Sequence, residues 1–201
     1  MLKKACITVL ALGLILAGVA DAAPSESNPI SGPYLTRTKV STSQHSQALL
    51  GSAYTGAVNS NDEIRDMCYV VGDSWNGSTM WDLVYNKATG VAGFVSETEI
   101  RDDLQVYNCY SSDQGGYKGN YYRTHTKLST SIHSQALLGS TYVGMAQPTD
   151  ILLDLCYVTG DEWRGTRFWN LVYNRATGVA GFISISEIDN PNQGFECYSN
   201  S

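Results

Sequence analysis

His45 and His133 are each followed by a serine and preceded by a Ser/Thr-rich loop, the residue types of nucleophilic hydrolysis. That chemistry needs a nucleophile, a base and an orienting acid within hydrogen-bond reach of one another. Adjacency along the chain does not provide this, and packing of a polar loop is the plainer reading of both rings. Asp62 and Asp66, and again Asp150 and Asp154, fall four residues apart, a spacing that suggests paired carboxylates for glycoside chemistry or a calcium site. Four-residue spacing brings side chains together only on a helix, whereas the flanking pattern runs from loop into strand. Solvated loop carboxylates are therefore expected.

Each of these features occurs twice because the chain itself does. Thr36–Asp113 aligns without a gap to Thr124–Ser201 at a constant offset of 88 residues, with about 44 identities in 78 positions. One copy thus tests motifs seen in the other. Gly72-Asp73-Ser74 has the types that open some lipase and esterase sequences, but Gly160-Asp161-Glu162 stands opposite it without the serine. The shared Gly-Asp is expected to be a turn, with glycine at positive φ and aspartate bonded to its own backbone. Asn76-Gly77-Ser78 is formally a glycosylation sequon, and Arg164-Gly165-Thr166 is not; both read as hairpin tips. No polar constellation supports catalysis in both copies, so the sequence reads as that of a non-enzyme.

Aromatic side chains are better candidates, for binding. Tyr54, Trp75, Trp81, Tyr85 and Tyr110 recur as Tyr142, Trp163, Trp169, Tyr173 and Tyr198. Alternation puts Trp81, Leu83 and Tyr85 on one strand face, and the leucine between them marks that face as buried in a small barrel. Trp75 and Trp163 sit beside the Gly-containing tips, where a large ring is harder to bury and recognition surfaces are common. The candidate ligand-binding residues are Tyr54, Trp75 and Tyr85, with Tyr142, Trp163 and Tyr173.

Lys3 and Lys4 followed by the apolar run Ala5–Ala20 and the small residues Ala20-Asp21-Ala22 read as a secretory signal peptide over 1–23. After its removal no membrane association is expected. The formal net charge of −6 argues against nucleic acid and anionic wall polymers as partners. Four cysteines lie beyond the leader: Cys68 and Cys109, then Cys156 and Cys197 at the same separation. Four cysteines permit three pairings, and the repeat makes pairing within each copy the economical one. In an exported chain such a bridge is allowed, and on the loop-entropy view it contributes about 4 kcal/mol. Metal ligation is the competing reading, but no CxxC or Cys/His cluster has ligand spacing; no metal or cofactor is expected.

Period-two segments place these residues on strands. Trp81–Tyr85 and Val91–Val95 flank the loop 86–90 as a hairpin, Cys68–Val71 forms an earlier strand ended by Gly72-Asp73, and the second copy repeats all three. Ser43–Leu50 is a helical candidate cut short by Gly51, a loop with one helical turn being the alternative. The order Arg37-Thr38, Ser41-Thr42-Ser43, Leu50-Gly51-Ser52, Tyr54-x-Gly56, a Gly/Asn turn, Trp81-x-x-Val84 and Gly93-Phe94-Val95-Ser96 resembles the bacterial SH3 (SH3b) family. Lys39-Val40 departs from that family's usual Gly-Pro, and the cysteine pair is not a general feature of it. The short strands imply an all-β chain, with a Ser/Pro-rich flexible lead-in at 24–33 and a Gly-rich linker at 114–121, and the resemblance implies SH3-like domains at 34–113 and 122–201. It further implies recognition of cell-wall peptide or glycan, or of another extracytoplasmic protein, through an aromatic groove. A secreted, disulfide-stapled inhibitor of another protein is the alternative, because 57–65 and 145–153 diverge most.

Overall fold

The computed structural model describes residues 33–101, 106–110, 121–191 and 195–198. The leader, the lead-in through residue 32 and the Gly-rich stretch at 114–120 lie outside them. The chain is all-β: β1 (Tyr34–Thr36), β2 (Thr42–His45), β3 (Tyr54–Val58), β4 (Ile64–Trp75), β5 (Ser78–Asn86) and β6 (Val91–Ser96) form the first copy. The second contains β7 (Tyr122–Thr126), β8 (Thr130–His133), β9 (Tyr142–Ala146), β10 (Leu152–Trp163), β11 (Thr166–Asn174), β12 (Ala180–Ser184) and β13 (Ile188–Asp189). Each is one curled antiparallel sheet, in the order β1-β4-β5-β6-β2-β3 and β13-β7-β10-β11-β12-β8-β9. No α-helix occurs among the described residues, and none of their helices is long and apolar enough to cross a membrane. The helical candidate at 43–50 is instead the end of β2 and a turn.

Cys68 is bonded to Cys109 and Cys156 to Cys197. In the first copy the segment around Asn108 runs parallel to β4, with the Tyr69 N–H donating to Tyr107 O (3.0 Å) and the Cys109 N–H to Tyr69 O (2.9 Å). The disulfide thus fastens the tail to a central strand.

The apolar residues of β5 and β6 form an almost unbroken run because both faces of these strands are buried. On the concave face Val84 and Val95 pack with Val58, Ile64 and Ile100; Val172 and Ile183 do the same with Ile132, Leu152 and Ile188. The opposite face carries Trp81, Leu83, Tyr85 and Phe94, and it packs against Trp169, Leu171, Tyr173 and Phe182 of the other copy in one shared core. The expectation that Trp81, Leu83 and Tyr85 lie inside a barrel is therefore corrected. They are buried because a second copy covers them.

The shared core has internal two-fold symmetry. Tyr85 meets Phe182 and Phe94 meets Tyr173, each edge to face at 6.0 Å between centroids. The Ala92 N–H donates to Ser134 O (3.1 Å) and the Ala180 N–H to Ser46 O (3.0 Å). Gln47 Nε2 reaches Thr177 O at 2.7 Å, and Gln135 Nε2 reaches Thr89 O at 2.6 Å. Every one of these contacts becomes the other when the copies are exchanged, the signature of an isologous interface.

Gly72-Asp73 does not end a strand, as expected, but lies within β4, and Gly72 is not at positive φ. A Cβ on Gly72 would stand 1.9 Å from Ala48 O, and one on Gly160 1.9 Å from Ala136 O. The loop after β2 docks there: the Asp73 N–H donates to Ala48 O (3.0 Å), and Asp73 Oδ2 accepts from the Leu50 N–H (3.0 Å). The aspartate therefore bonds a loop far along the chain rather than its own backbone. Because backbone is the obstacle, Gly72→Ala is expected to cost at least about 2 kcal/mol, read as a lower urea midpoint with an unchanged slope.

Candidate functional site

Asn76 (φ 48°) and Gly77 (φ 88°), like Arg164 (φ 49°) and Gly165 (φ 80°), form two-residue hairpin turns with both central residues left-handed. Each turn holds a tryptophan at the end of a long strand. Trp75 is 39% exposed, and its Nε1 donates to Glu99 Oε1 at 3.2 Å. The other oxygen of Glu99 accepts from Thr42 Oγ1 at 2.5 Å, so the ring is tied to the start of β2. Trp163 is half-buried, with the Arg164 guanidinium 5.5 Å from its ring centroid. Beside it Phe168, at the position of Met80, is exposed and packs edge-on against Tyr157 at 5.6 Å. The second copy's edge is thus the more aromatic.

Tyr54 and Tyr142 are 58% and 52% exposed at the starts of β3 and β9. Tyr54 pairs with His45 at the far end of β2 from Thr42, roughly 10 Å along the strand. Tyr54 and Trp75 therefore mark two ends of one edge. Tyr85 and Tyr173 are 1% and 2% exposed in the shared core, and burial pushes both phenols well above their ordinary pKa. The expected groove is not assembled from Tyr54, Trp75 and Tyr85, nor from their counterparts.

His45 and His133 stand edge-on to Trp81 and Trp169 at 5.7 Å, and the Trp81 and Trp169 Nε1 atoms donate to Asp73 O (2.8 Å) and Asp161 O (2.9 Å). Each histidine Nδ1 is buried without a hydrogen-bond partner among the described residues, so no carboxylate orients either imidazole through that atom. Burial also lowers the pKa of His133. Both rings pack.

The four-apart aspartates are not all solvated, contrary to the reading from their loop-to-strand setting. Asp62 Oδ2 accepts from the Asn59 N–H (3.0 Å) and Asn86 Nδ2 (2.9 Å), which closes a turn and lowers its pKa. Asp66 and Asp154 are buried on β4 and β10. In the second copy Asn170 Nδ2 donates to Asp154 Oδ2 at 2.6 Å. The first copy has Asp82 at the position of Asn170, 5% exposed, so two carboxyls share a dry site. Burial, then the Asp82 charge, push Asp66 well above the usual carboxylate range, while the Tyr34 hydroxyl pulls the other way; burial and Glu97 raise Asp82. No group of three or more His, Cys, Asp or Glu side chains suited to a metal occurs among the described residues.

No family model matches the chain, and no curated protein matches it.

Proposed function

We propose that the chain is an exported, non-catalytic binding protein built of two SH3-like barrels, recognising cell-wall peptide or glycan through the outward aromatic edges. Both disulfides fit an oxidising compartment outside the cytoplasm. The observation that carries the reading is that each copy has an exposed tyrosine and a tryptophan at a hairpin tip, Tyr54 with the exposed Trp75 and Tyr142 with Trp163, which is half-buried against the shared core. Aromatic faces bind sugar rings and peptide planes with little loss of side-chain freedom. The shared core fixes the spacing of the two edges, so a repetitive surface that matches it gains avidity without any further contact. A net charge of −6 suits neutral glycan or peptide better than an anionic polymer.

Co-sedimentation of the disulfide-intact protein with peptidoglycan sacculi tests this. Trp75→Ala and Trp163→Ala are each expected to weaken retention by about tenfold, and the double variant to abolish it. A double variant retained like the wild type would place binding elsewhere, and a wild type that does not sediment would favour the soluble protein partner of an inhibitor.

A further inference from the structure

Tyr110 and Tyr173 meet at the seam between the copies, hydroxyl to hydroxyl at 2.6 Å. Their rings stand edge to face with centroids 5.8 Å apart. Tyr173 is set in the shared core at 2% exposure, whereas Tyr110 is 39% exposed. The tail that carries Tyr110 is tied down beside it: Cys109 is bonded to Cys68, and the Tyr110 N–H donates to Asn108 Oδ1 at 2.8 Å. One phenol is thus accessible to a reagent in solution, the other is shielded, and a hydrogen bond joins them.

That arrangement suits one-electron oxidation. A phenol that loses an electron and its hydroxyl proton becomes a neutral tyrosyl radical, with the unpaired spin on the oxygen and on the ring carbons ortho and para to it. A peroxidase-type oxidant drawing on hydrogen peroxide reaches Tyr110 and not Tyr173. Across the hydrogen bond a hydrogen atom then passes from the Tyr173 hydroxyl to the Tyr110 oxygen, which moves the radical inward and restores Tyr110 for a second oxidation. The two adjacent radicals couple through ortho carbons, and the ring hydrogens move to the oxygens as both rings regain aromaticity. The pair gives up two electrons and two protons in all, which reduce one hydrogen peroxide to two waters. Held in contact, the two rings react at a very high effective concentration. Tyr54 and Tyr142 are more exposed, but neither has a tyrosine in ring contact among the described residues, so they couple only when two molecules collide. Tyr198 stands edge-on to Tyr85 at 5.3 Å as the exchanged pair, and being half-buried it is the slower to be oxidised.

We propose that Tyr110 and Tyr173 form an oxidative cross-linking site, at which a peroxidase-type oxidant closes a dityrosine bond that ties the two copies together. The site is separate from the aromatic edges, so it stands or falls independently of sacculus binding. The test treats the whole disulfide-intact protein with a peroxidase and hydrogen peroxide, and follows dityrosine fluorescence, intact mass and mapped peptides. The expected main product is a single chain lighter by two hydrogens, with Tyr110 joined to Tyr173, in a yield that does not depend on protein concentration. Tyr173→Phe keeps the buried ring and removes the hydroxyl; with the near-ultraviolet spectrum still that of a folded core, it should lower the single-chain yield at least about tenfold. Tyr54→Phe should leave that yield as it is. Dityrosine that joins different chains through Tyr54 or Tyr142, a main product mapped to another pair, a Tyr173→Phe variant that cross-links as well as wild type, or no dityrosine at all would overturn the proposal.

Discussion

Phe94→Ala is expected to destabilise both copies at once, by about 3–5 kcal/mol. Phe94 is fully buried, and it meets Tyr173 across the two-fold axis. Truncation therefore opens a cavity in the one core that belongs to neither copy alone. Thermal unfolding should stay a single transition shifted down by roughly 10 °C or more for a chain of this size. A fall confined to part of the signal, with the second copy melting where it did before, would mean that the copies are held apart energetically. The equivalent variant, Phe182→Ala, should give the same shift because Tyr85 stands to Phe182 as Tyr173 does to Phe94.

Asp82→Asn is expected to stabilise the protein at neutral pH by about 1–3 kcal/mol. The substitution gives the first copy the pair that the second already has, in which an amide donates to the buried carboxylate. Both Asp66 and Asp82 have folded-state pKa values raised above those of the unfolded chain, chiefly by burial. The native state then holds more protons than the unfolded state, so their penalty is absent below the ordinary carboxylate range, near pH 4, and grows as pH rises through the folded values. Wild-type stability should thus fall with rising pH above about 4, and Asp82→Asn should flatten that slope. Glu97, Tyr34 and Tyr121 also lie at or beside this site, and their charges enter the wild type and the variant alike. The converse change, Asn170→Asp, should bring the same pH dependence to the second copy. Urea titrations at pH 5 and pH 8 read both effects, and identical slopes for all three proteins would refute the account of the pair.

The hairpins, the Asn-Gly tip and the pairing of the cysteines were legible in the sequence because each rests on local chemistry: alternation, residues that tolerate positive φ, and a repeat that halves the pairing problem. What was hidden depended on contacts between distant parts. Nothing in Gly72-Asp73 distinguishes a turn from a strand against which another loop packs; only the approach of Ala48 decides it. Trp81 and Tyr85 were legible as buried but not as buried against another copy, since a strand covered on both faces does not say which layer covers which. For the same reason Tyr85 and Tyr173 read as binding residues while forming the core. Asp66 carried a signal in hindsight, because its cross-strand companion is aspartate in one copy and asparagine in the other. The Tyr110–Tyr173 contact takes one ring from each copy, and a reading that treats each copy by itself cannot find it.

The paired aromatic edges and the tyrosine pair at the seam both require that the two copies form one body. Differential scanning calorimetry of the disulfide-intact protein tests this directly. A single transition whose calorimetric enthalpy equals its van 't Hoff enthalpy is the predicted result. Two resolved transitions, or a calorimetric enthalpy about twice the van 't Hoff value, would show two independent units and contradict the shared core.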